Sequence, residues 1–235
     1  VSKQPGAIYG EGSETYLRGL IPLVPFTAVI AMPINLFLFV DPGPLVVELA
    51  WAVAVSLFAT TMLASVALVP MVAELQATGA TRASTGLGGL RANGVRVLFA
   101  TVPLVIVNAF FVFTWIGSGC AIFIAVRFAL FPIAIASEDA DATDSLARSW
   151  ELVGGAWWRT SGVLLGALLP YAAVVFLLSV LNLSAVLTLL FTVVAQALVA
   201  PFVVIVLLLL FEAYRDMAED VAWPDEPRFP SGSIR

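Results

Sequence analysis

The apolar positions of this chain fall into six long runs, roughly residues 19–40, 45–73, 97–117, 119–137, 160–181 and 184–211. A helix that crosses about 30 Å of hydrocarbon needs about 20 predominantly apolar residues, and each run meets or approaches that length. The runs are too long and too continuously apolar for the short alternating strands of a membrane barrel. The pattern predicts an all-α, polytopic membrane protein of six transmembrane helices. Asp41-Pro42-Gly43-Pro44 reads as a tight turn, Gly117-Ser118-Gly119 closes a hairpin, and the last two runs turn at Asn182. Pro22, Pro25 and Pro33 predict irregular backbone in the first run, and Pro201 a bend in the last. Ala52, Ser56, Thr60 and Ala64 recur every four residues, a small stripe that lets another helix approach; Gly162 and Gly166 form a second one.

The segments joining the runs are of two kinds. Residues 1–18, 74–96, 138–159 and 212–235 carry ten of the eleven Lys and Arg residues, whereas 41–44, 118 and 182–183 carry none. Cytoplasmic loops hold the excess of Lys and Arg. The chain therefore reads as a cell-membrane protein with both termini cytoplasmic. It divides into an N-terminal segment over 1–18, a six-span domain over 19–212 and a tail over 213–235 that is poorly ordered beyond Asp220. The stretch 74–96, with Gly79, Gly86, Gly88, Gly89 and Gly94, reads as the first inner loop.

The second inner join is different. Leu146, Trp150, Val153 and Trp157 fall at i, i+4, i+7 and i+11, one face of a helix, with Arg148 and Glu151 off that face. Asp141 is placed to cap this helix and Asp144 lies in its first turn. Trp157 and Trp158 stand just before the fifth run, where an aromatic belt belongs. The expectation is an amphipathic interfacial helix before span 5, which anchors the join to the bilayer or the bundle, or recognises a lipid or a partner.

Composition narrows the function classes. The chain is 61% hydrophobic and 11% charged, with a mean hydropathy of +1.03, against about 25% charge in a soluble domain. The net charge is −5, and the basic joins themselves contain fourteen acidic residues, so nucleic acid is not an expected partner. Cys120 is the single cysteine and there is no histidine, which leaves no intrachain disulfide and no Cys or His metal site. Ten Arg against one Lys, with many Ala and Val, fits a GC-rich prokaryotic genome. The first run is too long for a signal peptide, and no small-residue cleavage site follows it.

Two ionisable residues, Glu48 and Arg127, lie within the runs. A charge at membrane depth costs at least about 2.5–3.5 kcal/mol on insertion scales, so each calls for a partner. Their positions, one and two turns below the outer ends of spans 2 and 4, are compatible with a pair. Either the pair is structural, or Arg127 snorkels to carbonyls or headgroups, or the two form a site for a lipid headgroup or an ion in the outer half of the bundle. Asn35, Asn108 and Gln196 add polar groups at depth, as interhelical hydrogen bonds or as part of a permeation path. Thr85-Gly86-Leu87-Gly88-Gly89-Leu90 lacks the Gly-Lys-Ser/Thr ending of a phosphate loop, and Gly117-Ser118-Gly119-Cys120 has no base to activate a serine. Glu138, Asp139, Asp141 and Asp144 could attract a cation, although a solvated helix start accounts for them better. No catalytic set, metal site or cofactor is expected.

One stretch resembles a known family. Arg127-Phe-Ala-Leu-Phe-Pro132, Glu138, Ser145-Leu146-Ala147-Arg148-Ser149-Trp150-Glu151-Leu152-Val153-Gly154-Gly155 and Trp158-Arg159-Thr160 are similar to the membrane domain of bacterial glycerophosphoryl diester phosphodiesterases and related six-span prokaryotic membrane proteins. Glu212-Ala213-Tyr214-Arg215-Asp216 resembles that family's exit from its closing span. Members with known activity carry a separate soluble catalytic domain, for which these 235 residues have no room. The resemblance therefore implies the fold and not hydrolysis. The leading expectation is a non-enzymatic, lipid-interacting scaffold or an accessory subunit of a membrane assembly, with membrane lipids, protein partners or further copies of itself as partners. The competing one is a small transporter or channel, in which Glu48, Arg127, Asn108 and Gln196 converge on a water-accessible cavity. A third, a lipid-modifying enzyme, requires a metal held at Glu138–Asp144.

Overall fold

Residues 203–211 are apolar on every face, and in the folded chain every one of them is buried. A helix of that kind belongs at the centre of a bundle. The structure is a computed structural model. It describes residues 4–39, 46–112, 117–181 and 183–222, and their side chains except at 37–39, 46–55, 108–112, 117–118, 179, 185 and 219–222. The helices are α1 (Pro5–Phe39), α2 (Val46–Thr78), α3 (Ala83–Val112), α4 (Gly117–Arg127), α5 (Phe131–Glu138), α6 (Ala142–Gly154), α7 (Trp157–Leu181) and α8 (Ala185–Ala222). Among the described residues there is no strand, and six segments are long and apolar enough to cross a membrane. The chain is an all-α, multi-pass protein.

The central α8 packs most extensively along α1, and also against α2 and α7, while α2 pairs with α3. The outer helices expose large apolar side chains: Val95, Phe99 and Ile106 on α3, and Leu165, Leu169 and Phe176 on α7. Contiguous apolar exposure on this scale is what a lipid-facing surface presents. Two tyrosines tie α1 to its neighbours. Tyr9 donates its hydroxyl to the carbonyl of Val163 at 2.5 Å, and Tyr16 donates to that of Leu198 at 2.9 Å. The Tyr9 hydroxyl lies over Gly166, so this glycine of the Gly162/Gly166 stripe receives a side chain from within the chain.

The expected loop over 74–96 is almost entirely helical, since α2 runs to Thr78 and α3 begins at Ala83. Gly79, at φ +74°, ends α2 in the left-handed conformation that glycine adopts freely. Glu74 then closes the turn. Its carboxylate accepts from the Thr85 hydroxyl at 2.6 Å, the Thr81 hydroxyl at 3.2 Å and the Arg82 backbone N–H at 3.2 Å. Residues 5–18 are likewise part of α1, which is continuous through Pro22, Pro25 and Pro33. Neighbouring helices re-satisfy the backbone groups that proline frees in a membrane helix. The turns placed at residues 41–44 and at Asn182, the residues before Gly117, and the tail beyond residue 222 lie outside the described residues.

Span 4 departs most from expectation. The run 119–137 is two helices, α4 and α5, with a break at residues 128–130. Pro132 stands at the start of α5, where it has no N–H to give and its ring excludes a straight continuation from Phe128. The freed backbone groups are taken up by α6. Ser149, wholly buried, donates its hydroxyl to the carbonyl of Arg127 at 2.8 Å and accepts the Leu130 N–H at 3.2 Å. Replacing Ser149 with Ala strips both partners at once, and each buried unsatisfied group costs about 1–3 kcal/mol. S149A is therefore expected to lower unfolding free energy in detergent by about 2 kcal/mol or more. S145A is the comparison: Ser145 is as buried, but its hydroxyl bonds only the Ala142 carbonyl of its own helix. Equal losses for the two variants would show that the break is not held by Ser149.

Candidate functional site

The arginine that ends α4 sits where α6 crosses the break in span 4. Its guanidinium donates through Nη1 to the Trp150 carbonyl at 2.8 Å. It lies 4.3 Å from the centre of the Trp150 ring and 5.4 Å from that of Phe123. Arg prefers such stacked positions because a planar, weakly hydrated cation is attracted to the face of an aromatic ring. Gly154 makes room for it: a Cβ there would stand 2.8 Å from Arg127 Nη1. Phe123 also stacks on Trp157 at 5.8 Å, and Trp157 meets Trp158 edge-on at 4.6 Å.

Phe123, Arg127, Gly154, Trp157 and Trp158, but not Trp150, line a groove of about 1420 Å³ between α4, α6, the start of α7 and the end of α8. Arg127, Arg148 and Arg159 contribute positive charge to its wall and Glu151 negative charge. Phe123, Leu152, Trp157, Trp158, Met217 and Ala218 contribute apolar surface. Arg148 is 3.6 Å from Glu138, and the Arg159 guanidinium lies over the Tyr214 ring at 5.7 Å. Tyr214 in turn shares a hydrogen bond of 2.9 Å with Thr160, which fixes α8 against α7 at this end. The Nε of Arg127 and the Nε1 of Trp157 are buried and have no acceptor among the described residues.

The expected interfacial helix is present as α6, with Asp141 at its N-cap position and Asp144 in its first turn. Its inward face is turned from the predicted one. Ser145, Ser149 and Val153 are buried, Leu146 is half-buried on the flank, and Trp150 is 44% exposed. The helix ends at Gly154, so Trp157 does not continue its stripe but opens α7, with Trp158 beside it 82% exposed. The serines face inward because the break in span 4 offers them unpaired backbone groups, a demand that outweighs apolar periodicity. Sequence reasoning also left out Arg159, Ser149 and Gly154 as site-forming residues. For Ser149 the available signal was Pro132, which frees backbone groups in span 4.

The intramembrane polar residues go to different places. Gln196 of α8 is wholly buried in a network that joins four helices. Asn35 Nδ2 donates to Gln196 Oε1 at 2.8 Å, and Gln196 Nε2 donates to Ser56 Oγ at 2.9 Å and to Tyr171 Oη at 3.0 Å. Ser56 reaches Asn35 Oδ1 at 2.8 Å, and Thr60 reaches Gln196 Oε1 at 3.2 Å. Arg127 is not in this network. Tyr214, which lines the Arg127 groove, is separated from Gln196 along α8 by roughly 27 Å at 1.5 Å per residue. The transporter alternative requires Arg127 to converge with Gln196, and these two residues are not brought together: Arg127 belongs to the end that holds α6. The break at 128–130 and the carbonyl of Trp150 draw it there. The side chains of Glu48 and Asn108 lie outside the described residues. Among the described residues no three His, Cys, Asp or Glu side chains are gathered as metal ligands. Glu138 and Asp139 are turned instead to Arg148 and Arg96.

Comparison with protein-family models, with curated proteins and with solved structures returns no match.

Proposed function

We propose that this chain is a non-enzymatic protein of a prokaryotic cell membrane, serving as a lipid-interacting scaffold or as an accessory subunit of a membrane assembly. The observation that carries this reading is the groove around Arg127. It combines guanidinium groups with exposed tryptophan at the end of a lipid-facing bundle, the pairing that suits a membrane interface. The network around Gln196 weighs against transport, because its side chains are buried and turned to one another. Kinship with the phosphodiesterase membrane domains belongs to the same proposal. It is supported by the meeting of Arg127, Ser149, Trp150 and Gly154, all from the resembling stretch, at one point. In the same reading the α6 end faces the cytoplasm, since it gathers Arg82, Arg91, Arg96, Arg148, Arg159 and Arg215.

Gentle purification from native membranes, followed by mass spectrometry of what accompanies the protein, tests the reading. Retained lipid or a stoichiometric protein partner is the expected result. A protein that emerges with neither, and that moves a solute when reconstituted, would replace it with transport.

A further inference from the structure

The groove around Arg127 sets a wall rich in guanidinium groups beside an apolar lining. Arg127, Arg148 and Arg159 stand in its wall against Glu151. Arg148 shares its charge with Glu138. Arg127 makes no ion pair among the described residues. Its Nη1 is engaged by the Trp150 carbonyl and its guanidinium plane by the Phe123 and Trp150 rings, while the buried Nε has no acceptor among the described residues. Nε1 of Trp157, in the same wall, is equally buried and unsatisfied. Three guanidinium groups against one carboxylate leave this wall with an excess of positive charge, which an anionic ligand would offset. From Arg127 the groove extends to Gly119, two turns back along α4, or about 12 Å.

We propose that this groove binds an anionic membrane phospholipid, its phosphate between Arg127 and Arg148, and its acyl part along α4 toward Gly119. The proposal rests on the lipid-interacting reading above and adds the headgroup class. Phosphate oxygens are strong acceptors for guanidinium N–H groups. A zwitterionic headgroup would carry its cation into a wall where positive groups outnumber negative ones. A net anionic headgroup such as phosphatidylglycerol brings no such penalty. The apolar side chains of the lining, Phe123, Leu152, Trp157, Trp158 and Met217, fit a lipid better than a free phosphate.

The full chain reconstituted in nanodiscs of equal phosphatidylglycerol and phosphatidylcholine decides this, with native mass spectrometry counting the lipid that stays bound. Phosphatidylglycerol is expected to be enriched about tenfold, the scale of one charge-assisted hydrogen bond. R127Q should reduce the enrichment toward one. So should Gly154→Ala, whose methyl pushes on Arg127 Nη1. Gly162→Ala, where an added Cβ meets nothing within 4 Å, should keep it. Equal retention of both lipids by the unmodified protein overturns the anionic assignment and leaves the lipid-interacting reading standing, whereas retention of no lipid overturns both. Enrichment that persists in R127Q shows that another surface is responsible. Displacement of the lipid by millimolar inorganic phosphate would make free phosphate the occupant and overturn the lipid assignment.

Discussion

Q196L is expected to destabilise the bundle by about 3 kcal/mol. Gln196 takes part in four hydrogen bonds at once, to Asn35, Thr60, Tyr171 and Ser56, the one Ser56 proton going to Asn35. Interhelical hydrogen bonds in membranes average about 0.6 kcal/mol each, which sums to about 2.4. The other route to a magnitude counts what is stranded. With leucine at 196 the Tyr171 hydroxyl and the Thr60 hydroxyl lose their side-chain partner in a buried setting, at about 1–3 kcal/mol per group. The two routes agree in scale, so the effect should be plain in a denaturant titration in detergent followed by circular dichroism. N35L should lose less, because Asn35 exchanges only two side-chain bonds, with Gln196 and Ser56, and its remaining bond is to Ala31 in its own helix. The double variant should fall short of the sum, since residues of one network couple by about 0.5–3 kcal/mol. Strict additivity would mean that the two side chains do not act as one lock. Full stability in Q196L would mean that α8 is held by apolar packing alone.

The network also shows what the chain's pattern discloses and what it conceals. Six spans, the interfacial helix before the fifth and the gathering of arginines at alternate joins follow from length and hydropathy. These are summed over many residues, and no single contact can overturn them. The stripe Ser56, Thr60, Ala64 was legible as a packing face, but not as a partner for Gln196. A hydroxyl at helical spacing looks the same whether it permits close approach or receives a bond. Arg127 was visible as an anomaly, and its setting was not. Apolar length says that span 4 is one helix. Pro132 breaks it, and Ser149, some twenty residues along the chain, repairs the break. Nothing in the local pattern couples those two positions, because their meeting depends on how α6 folds back. The buried face of α6 was misjudged for the same reason: periodicity ranks Trp150 above Ser149, while the unpaired carbonyl of Arg127 and N–H of Leu130 reverse that rank.

The glycines of α3 give the sharpest contrast in the molecule, because neighbours should respond with opposite signs. Gly89 faces α2 at Pro70. Proline has no N–H, so the carbonyl of Val66, four residues earlier in α2, has no donor from its own helix. A Cβ on Gly89 would fall on that carbonyl oxygen and 2.8 Å from the Pro70 ring. The hydrogen that occupies the position therefore points at the oxygen, a weak Cα–H···O contact of the kind found between closely packed helices. Gly89→Ala replaces that contact with a collision against backbone, which cannot rotate aside. Overpacking typically costs about 1–3 kcal/mol, and a backbone neighbour places this case at about 3 or more. The better helix propensity of alanine returns only about 1 kcal/mol. Gly88, one residue earlier, is exposed and meets nothing within 4 Å. Gly88→Ala should gain up to about 1 kcal/mol through propensity alone. Folded yield and unfolding midpoint in detergent, compared for the two variants, check the pair. A tolerated Gly89→Ala would show that α2 and α3 do not approach as closely as the Val66 carbonyl requires. The same geometry explains why the glycine-rich stretch reads as a loop and folds as a helix. Gly86, one turn before Gly89, also packs closely, but against the side-chain ends of Met71 and Phe26 and not against backbone. These glycines bring two helices together at a proline, a role that residue type alone does not distinguish from a turn.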